Sequence, residues 1–393
     1  MLYNINLREE VFGGTVFNLI SGKREYINKT ELNDIISSGI FPIKSVTNSL
    51  SSNYKIKYTP IDNDNPSTNG FSFADTAFIE LTRACNLRCS HCLNSSGNTS
   101  KNQLSFDEFL ILIDNLADAG LQEIRFTGGE PLLFDKIYDL INFATKKGIY
   151  TSLGTNATLI TASIAQKLRL AGLKKAIVSI DGTLEQHDII RGKGNYKKTI
   201  DGLAHLTKHK IDARVNSVLM RSNMENVIDL AKEMHKNKTL LFIRRFIESG
   251  RGTELKDNML TVQDYNYVRE KLSRELADGP YVNGHYLRNN EGTSSRIFIP
   301  FEIKGCKAGQ RALAIMPNGD INLCGFLAAQ NFPASGNIRK IQNWRRFWNN
   351  LQQHNHLTTL CRNLEKYNQT PNIQTTYCLA YVQRFLNQGS KKC

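Results

Sequence analysis

The sequence lacks the two features that would direct this chain to or through a membrane. No run approaches the roughly 20 consecutive apolar residues that span a bilayer, and residues 1–10 lack the basic-then-apolar pattern of a signal peptide. Cysteine is missing from the middle of the chain, with none between residues 93 and 305. Disulfide scaffolds are small, secreted and dense in cysteine, so this 393-residue chain is not one. The sequence predicts a cytoplasmic protein without membrane spans.

The chain is basic but has no concentrated basic segment. Its 50 Lys and Arg against 36 Asp and Glu give a formal net charge of +14. Such a charge favours acidic partners such as nucleic acid, an anionic membrane or an acidic peptide, although a solvated basic surface explains it equally well. No dense Lys/Arg block marks a nucleic-acid-binding arm. No stretch interleaves aromatic and basic residues as single-strand-binding modules do, so a nucleic-acid partner is not expected.

From Ala77 onward, short apolar runs alternate with helical stretches. The predicted strands are Phe78–Leu81, Glu123–Phe126, Tyr150–Leu153, Ala176–Ile180, Ala213–Leu219 and Leu240–Phe246. The predicted helices are Phe106–Ala119, Ile137–Lys147, Ala162–Leu170, Tyr196–Thr207, Val227–Lys236 and Tyr265–Leu276. Strand–helix repeats indicate a parallel sheet, and right-handed crossovers curl such a sheet into a barrel. We therefore predict an α/β fold with a partial (β/α)6 TIM-like barrel, and a doubly wound open sheet is the competing fold.

The composition changes on both sides of this repeat, which predicts three segments: residues 1–75, 76–280 and 281–393. In the first, Phe12–Asn18 and Ser21–Tyr26 read as two strands around a Ser-Gly turn, and a helix follows within Asn28–Ile36. The turn-rich residues 59–70 read as a linker. After about residue 280 the alternation stops, which predicts a small C-terminal domain rich in cysteine.

Three cysteines directly follow the first strand of the repeat. Cys85, Cys89 and Cys92 occupy the loop position where β/α barrels carry their chemistry. A structural zinc site favours four ligands in paired Cys-x2-Cys units. His91 as the fourth ligand would strain the loop, because it lies next to Cys92. Three thiolates suit a four-iron cluster better, since they leave one iron without a protein ligand.

Polar and glycine-rich segments end the next three strands. They are Thr127-Gly128-Gly129-Glu130-Pro131, Gly154-Thr155-Asn156-Ala157-Thr158, and Val178-Ser179-Ile180-Asp181-Gly182 with Gln186-His187-Asp188 and Arg191 downstream. Taken alone, such residues are also common in ordinary turns. Together with the cysteine triad, they resemble the motifs of the radical S-adenosylmethionine (AdoMet) superfamily.

The resemblance implies a [4Fe-4S] cluster held by the catalytic cysteines Cys85, Cys89 and Cys92. AdoMet would chelate the open iron, and an electron from the cluster would release a 5′-deoxyadenosyl radical. The remaining site residues are assigned by their place in the family motifs: the AdoMet amino group to Gly128, Gly129 and Glu130, the ribose to Asn156, and the carboxylate to Ser179 and Arg191. Asn216 and Arg251 match the family more weakly.

The C-terminal cysteines resemble part of a SPASM domain, which holds auxiliary iron–sulfur clusters. Cys306 and the stretch Ala314–Cys324, with a Pro-Asn-Gly-Asp hairpin turn, match its opening. The full cysteine set is incomplete, because only Cys361, Cys378 and Cys393 follow. We expect one auxiliary cluster on Cys306, Cys324 and Cys378, completed by Cys361 or Cys393. A second cluster would be absent, truncated or partly held by other groups.

The resemblance also predicts function. The N-terminal strand pair is similar to the opening of a precursor-recognition domain, which binds a leader peptide as an added strand. The leading hypothesis is therefore a maturase that abstracts hydrogen from a ribosomally made precursor peptide and forms a carbon–carbon, ether or thioether cross-link. Flavodoxin or ferredoxin would supply electrons. The alternatives are a formylglycine-generating sulfatase maturase, a peptide epimerase, an RNA-modifying radical enzyme and a non-catalytic iron–sulfur scaffold.

Overall fold

A computed structural model describes residues 3–38, 55–62, 71–276, 297–298, 308–309 and 311–353. The strands are β1 Ile5–Glu10, β2 Gly13–Asn18, β3 Arg24–Asn28, β4 Ile56–Thr59, β5 Thr76–Glu80, β6 Glu123–Thr127, β7 Tyr150–Thr155, β8 Lys175–Ser179, β9 Asp212–Leu219, β10 Leu241–Arg245, β11 Ile297–Phe298, β12 Ala312–Ile315, β13 Asp320–Asn322 and β14 Gly336–Asn337. The α-helices are α1 Lys29–Ser38, α2 Phe106–Asp118, α3 Ile137–Lys146, α4 Ala162–Ala171, α5 Leu184–Arg191, α6 Asn195–Lys208, α7 Met224–Lys236, α8 Val262–Glu275, α9 Gly325–Ala329 and α10 Trp344–Gln353. Short 3-10 helices cover Pro131–Leu133, Arg221–Asn223, Gly250–Asn258 and Ile338–Lys340.

The main sheet confirms the predicted strand–helix repeat. Its strand order is β11-β10-β9-β8-β7-β6-β5-β12-β13-β14, and β5 to β10 are parallel neighbours in chain order. A doubly wound sheet would reverse its strand order at a switch point, and this order does not reverse between β5 and β10. The fold is the partial barrel, with the carboxyl ends of its strands at one edge.

Local signals in the sequence explain where the helices begin and end. The side chain of Ser105 accepts a hydrogen bond from the Glu108 amide, and the Glu108 carboxylate accepts from the Ser105 amide. This capping box satisfies amides of the first turn of α2 that have no partner within the helix. Helix α4 ends at Gly172, whose left-handed φ of 106° suits glycine.

The C-terminal segment continues the main sheet. Strand β12 pairs in parallel with β5, and β13 returns antiparallel to β12, with Ile315 opposite Ile321. The turn between them is the predicted Pro-Asn-Gly-Asp hairpin, in which Gly319 has a φ of 87°. Strand β14 then pairs antiparallel with β13. The division of the chain at residue 280 stays a prediction.

The N-terminal segment forms its own four-stranded sheet in the order β3-β2-β1-β4. The predicted strand pair and helix are confirmed as β2, β3 and α1. Arg8 on β1 is fully buried and donates to the carbonyl oxygens of Ala74 and Gly120, at 2.8 and 3.1 Å. It also bonds the carboxylate of Asp75 at 2.9 Å. A buried, fully bonded arginine therefore fixes this sheet to the barrel.

The core of the barrel is apolar and continuous. It includes Ile79, Phe126, Leu153 and Val178 from successive strands, each 0% exposed. Within the part of the chain that the structure describes, no helix is both long enough and apolar enough to cross a membrane.

Candidate functional site

The three cysteines of the triad lie in the loop between β5 and α2, at the carboxyl edge of the sheet. Cys89 is buried, and Cys85 and Cys92 are half-buried. Backbone amides point at two of the sulfurs: Leu87 N lies 3.4 Å from Cys85 Sγ, and Ser96 N lies 3.4 Å from Cys92 Sγ. Amide donors of this kind stabilise sulfur that carries negative charge.

Burial raises the pKa of the Cys85 thiol, and it raises the pKa of the Cys89 thiol against the opposing effect of Arg191. Thiolates in this loop therefore need a nearby positive charge, which bound iron supplies. Among the described residues, no three Cys, His, Asp or Glu side chains are gathered around a single-ion site. The donor set is three sulfurs around one cavity, with amides directed at two of them. It fits a larger cluster with Cys85, Cys89 and Cys92 as ligands.

Gly128 and Gly129 are required by the close approach of the triad loop to β6. Gly128 has a φ of 144°, and a β-carbon at Gly129 would lie 2.6 Å from the carbonyl carbon of Ala84. The amide of Gly129 donates to Thr82 O at 2.7 Å, and that of Glu130 donates to Ala84 O at 2.8 Å. The two glycines thus lock the cysteine loop against the exit of β6.

Glu130 directly follows Gly129 and is 0% exposed. Its carboxylate accepts from Asn156 N and from Thr155 Oγ1, both at 2.8 Å, and from Leu132 N at 3.3 Å. Burial nevertheless raises the pKa of Glu130 to about 7. In this arrangement the side chain joins the exits of β6 and β7. Its predicted contact with the AdoMet amino group stays a prediction.

Asp181, at the exit of β8, connects the triad loop to helix α5. It is 0% exposed, and its Oδ2 is 2.7 Å from Arg191 Nε and 2.6 Å from His91 Nε2. Its Oδ1 accepts from Val218 N at 2.8 Å. Arg191 in turn lies 3.8 Å from Cys89 Sγ. Sequence reasoning singled out Asp181 only as part of a motif, and this connecting role depends on contacts that spacing does not reveal.

Arg251 clamps the triad loop from the other side. Its Nε donates to Cys89 O and its Nη1 donates to Ser96 O, both at 2.8 Å. The amide of Arg251 also donates to Cys92 O at 3.1 Å. One guanidinium and its own backbone therefore fix three carbonyl groups of the loop that carries the thiols.

We expect Arg251→Lys to weaken cluster retention. Lysine cannot donate to two carbonyl groups in the fixed fork of arginine, and a hydrogen bond from a charged donor contributes roughly 1.5–3 kcal/mol. The half-life of the cluster absorbance during incubation with an iron chelator should therefore fall about tenfold or more. Arg221→Lys is the matched control, because Arg221 makes an exposed ion pair with Asp264. Equal half-lives for the two variants would contradict the clamp.

One cavity of about 510 Å³ collects these groups. The residues predicted for the site that line it are Cys85, Cys89, Cys92, Gly128, Gly129, Asn156, Ser179, Arg191, Asn216, Arg251 and Cys324. Cys324 occupies the position just before α9 and lines the same cavity as the triad. The other predicted auxiliary ligands, Cys306, Cys361, Cys378 and Cys393, lie outside the described residues.

Three thiols suited to an iron–sulfur cluster lie at the carboxyl end of a barrel strand, beside glycine-rich strand exits. This is the arrangement expected of an iron–sulfur enzyme that uses AdoMet. The family model "Radical SAM superfamily" matches residues 79–234, so the barrel of this chain is a radical SAM domain. This match implies a [4Fe-4S] cluster and AdoMet as cofactors.

Curated relatives match about two thirds of the chain. An AdoMet-dependent heme synthase of Nitratidesulfovibrio vulgaris is 29% identical over 293 residues, covering 68% of this chain and 79% of the relative. The mycofactocin maturase MftC of Mycolicibacterium smegmatis is 29% identical over 276 residues, covering 68% of each chain.

Solved structures share the fold over a longer part of the chain. Streptococcus suis SuiB, solved with S-adenosylmethionine, matches with a TM-score of 0.64 at 19% identity and covers 86% of each chain. The AdoMet-bound enzyme anSMEcpe matches with a TM-score of 0.54 at 19% identity, covering 71% of this chain and 81% of that one. At these identities the likeness describes the fold alone.

Proposed function

We propose that this radical SAM enzyme modifies a ribosomally made precursor peptide and forms an intramolecular carbon–carbon, ether or thioether cross-link. The observation that carries the proposal is the shared cavity, in which the triad thiols, the AdoMet-facing strand exits and Cys324 all take part. In such a cross-link one hydrogen atom would pass to the 5′-deoxyadenosyl radical and the second would leave as a proton, so one electron must be accepted. An auxiliary cluster held by Cys324, which lines the same cavity as the triad, would suit that role. The maturase MftC among the relatives supports this reading.

A [4Fe-4S] cluster held by Cys85, Cys89 and Cys92, with AdoMet bound beside it, would supply the radical chemistry. The protein's own contribution is positional. Asp181 and Arg251 fix the triad loop, and the glycines of the β6 exit bring the AdoMet-facing backbone against that loop. Ser179 and Arg191 are placed on the cavity wall, where we assign them to the AdoMet carboxylate. A primary carbon radical reacts with nearby C–H bonds, so an enclosing cavity limits side reactions.

An auxiliary iron–sulfur cluster belongs to the same proposal. Cys324 is its described ligand, and Cys306 and Cys378, with Cys361 or Cys393, would complete it. Flavodoxin or ferredoxin would deliver the electron to the first cluster.

The N-terminal sheet is proposed to receive the leader part of the peptide. Among the described residues, this sheet has β3 and β4 as its edge strands. A sheet edge can accept an extended peptide as a further strand. The precursor peptide SuiA is bound in one structure of SuiB, whose fold likeness covers 88% of this chain. That coverage exceeds the 71% found for anSMEcpe.

A tetrapyrrole substrate is the second candidate. It is favoured by the heme synthase relatives, which match as much of the chain as the maturases do. Peptide and tetrapyrrole can be compared directly in one assay.

The test uses anaerobically reconstituted, full-length protein with AdoMet and dithionite. Short open reading frames beside the gene supply the candidate peptides, and Fe-coproporphyrin III is the second substrate. We expect 5′-deoxyadenosine, and a peptide that has lost 2 Da per cross-link by mass spectrometry. Reactions without reductant are the control. Modification of the porphyrin and of no neighbouring peptide would replace the first candidate by the second, and absence of 5′-deoxyadenosine from cluster-loaded protein would refute both.

A further inference from the structure

A closed ring of hydrogen bonds joins the triad loop to the exit of β7. Asn156 Nδ2 donates to Asn86 Oδ1 at 3.0 Å, and Asn86 Nδ2 donates to Thr158 Oγ1 at 2.8 Å. The Thr158 hydroxyl then donates to Asn156 Oδ1 at 2.7 Å. Each of the three side chains therefore donates once and accepts once within this set of bonds, which we call the Asn86 ring.

A backbone group fixes the orientation of the two side-chain amides in the Asn86 ring. The amide N–H of Thr158 can only donate, and it lies 2.9 Å from Asn156 Oδ1. The side-chain oxygen of Asn156 must therefore face Thr158, which leaves its Nδ2 to face Asn86. Asn86 must then present its own oxygen to Asn156 and its nitrogen to the Thr158 hydroxyl. The direction of all three hydrogen bonds follows from this one backbone donor.

The side chain of Asn156 has no hydrogen-bonding capacity left for another ligand. A side-chain amide accepts two hydrogen bonds at its oxygen and donates two from its nitrogen. The oxygen of Asn156 accepts from both the amide and the hydroxyl of Thr158. Its nitrogen donates to Asn86 and lies 4.0 Å from Cys85 Sγ. All four positions are thus engaged in the ring or directed at a thiol of the triad.

The β7 exit around Asn156 is a rigid support. The backbone amide of Asn156 donates to Glu130 Oε2 at 2.8 Å, and its carbonyl oxygen accepts from Thr199 Oγ1 at 2.9 Å. The next residue, Ala157, is 0% exposed and has a φ of 59°, which is unfavourable for alanine. Strained backbone persists where surrounding contacts determine it. Helix α6 makes such a contact, because a β-carbon at Gly202 would lie 2.3 Å from Ala157 O.

At its other end the Asn86 ring holds the triad loop beside its first thiol. Asn86 directly follows Cys85 in the chain, and it is exposed. Arg251 fixes the carbonyl groups of Cys89 and Cys92. The ring extends support of the same kind to the part of the loop that carries Cys85.

We propose that Asn86 is a positioning residue that holds Cys85 at the β7 exit through the ring, and that Asn156 serves this ring rather than the ribose of AdoMet. The family motif assigned Asn156 to the ribose, but its side chain has no free donor or acceptor for a hydroxyl group. This inference rests on the part of the proposed function that places a cluster and AdoMet in the cavity. It is independent of the substrate.

Cluster retention tests the ring. N86A removes two of its hydrogen bonds, and T158V removes the hydroxyl that closes it. The half-life of the cluster absorbance during incubation with an iron chelator should fall about threefold or more in each variant. N98A is the matched control, because Asn98 is also an exposed asparagine near the triad loop and accepts from Arg88 at only 3.4 Å. Half-lives in N86A and T158V equal to that in N98A would overturn the proposal.

The losses in N86A and T158V should not multiply. Both substitutions break the same ring, so the double variant should lose its cluster about as fast as the faster single variant. Multiplied losses would show that the two side chains act separately and would overturn the proposal. The midpoint of denaturant unfolding of cluster-free N86A should equal that of N98A. A lower midpoint in N86A would show that Asn86 serves the whole fold instead of the loop, which would also overturn it.

AdoMet analogues test the role of Asn156. Cluster-loaded unaltered protein and N156A are titrated with AdoMet, 2′-deoxy-AdoMet and 3′-deoxy-AdoMet, and affinity is expressed per loaded cluster. Removing a ribose hydroxyl should weaken binding by the same factor, within about twofold, in both proteins. A hydroxyl whose removal costs about tenfold in the unaltered protein and nothing in N156A would be bonded to Asn156 and would overturn the proposal.

These outcomes are distinct from a failure of the proposed function. If N156A takes up no cluster, N86A and T158V decide the matter, because Asn156 is intact in both. Absence of a cluster or of AdoMet binding in the unaltered protein would refute the proposed function itself. A loaded unaltered protein with unaffected N86A and T158V would refute the ring alone.

Discussion

Gly129→Ala should abolish cluster loading and AdoMet cleavage. A β-carbon at this position would overlap the carbonyl oxygen of Ala84 and lie 2.7 Å from that of Arg83. Both neighbours are backbone atoms of the triad loop, so no side-chain rotation can relieve the overlap. The loop must move away from β6, and the hydrogen bonds from Gly129 N to Thr82 O and from Glu130 N to Ala84 O must lengthen. A displacement near 1 Å at a reacting centre costs on the order of a hundredfold in rate.

Iron and sulfide per chain after anaerobic reconstitution, together with 5′-deoxyadenosine formation, measure this effect. Gly194→Ala is the control. Gly194 has a φ of 79°, and a β-carbon added there would have no neighbouring atom within 4 Å. Alanine at this position therefore costs about 1–2 kcal/mol of backbone strain but displaces no neighbour. We expect G194A to load its cluster normally. A G129A protein with a full cluster and normal AdoMet cleavage would show that the close approach is not needed.

The barrel was predictable because its strands have a simple burial pattern. Each parallel strand is covered on both sides and reads as an apolar run, as Phe126 and Val178 illustrate with 0% exposure. Strand β1 was missed for the opposite reason. Its Asn6, Arg8 and Glu10 are nearly fully buried but polar. Asn6 and Arg8 donate to carbonyl groups on the distant barrel, and Glu10 accepts from Arg8. A polar strand of this kind looks like a surface segment until its partners are known.

Helix α5 was missed because its burial is inverted. His187 and Arg191 are buried, whereas Leu184 and Ile189 are 55% and 74% exposed. The inner face carries the polar residues His187 and Arg191 beside a single apolar residue, Ile190, because it meets Asp181 and the triad loop. The apolar periodicity that identifies most helices is therefore weak. The functional motif was visible in the sequence, and the helix that carries it was not.

In the candidate site, too, some residue roles can be predicted from the sequence and others cannot. The positions of the cysteines and glycines follow from strand exits, which sequence predicts well. The roles of Asp181 and Arg251 depend on partners that are 90 and 162 residues away, and no local pattern reports such distances. The cavity-lining residues Arg125, Arg244 and Arg245 were overlooked because an arginine within a strand looks like a solvent-facing residue. The curl of the sheet places these arginines inside.

Asp181→Asn should lower the free energy of unfolding by about 3–5 kcal/mol, the usual cost of removing one partner from a buried ion pair. Asp181 is 0% exposed and Arg191 is 9% exposed, so the substitution leaves a buried guanidinium without its counter-charge. The asparagine oxygen can still accept from Val218 N, but the bonds to Arg191 Nε and His91 Nε2 at Oδ2 are lost or weakened. Denaturant unfolding of the reconstituted protein measures the change.

Asp212→Asn is the matched control. Asp212 also pairs with an arginine, Arg214, but their side chains are 44% and 27% exposed. An exposed pair contributes about 0–1 kcal/mol. Similar losses of stability in D181N and D212N would mean that the buried connection contributes no more than a surface pair.

The pH dependence of the unfolding free energy is a second, independent test of the Asp181 ion pair. Burial alone would raise the pKa of Asp181, but the charges of Arg191 and His91 hold that pKa below its ordinary value. A depressed pKa stabilises the fold at every pH above the unfolded value of about 3.9, and the contribution is lost as the pH falls toward the folded value. The difference in unfolding free energy between the unaltered protein and D181N should therefore be constant from about pH 5 to 8 and narrow below about pH 4. If this difference in unfolding free energy grew as the pH fell, Asp181 would not be an ionised carboxylate that stabilises the fold. The triad loop would then be fixed by the neutral hydrogen bonds of His91 and Val218 rather than by the ion pair.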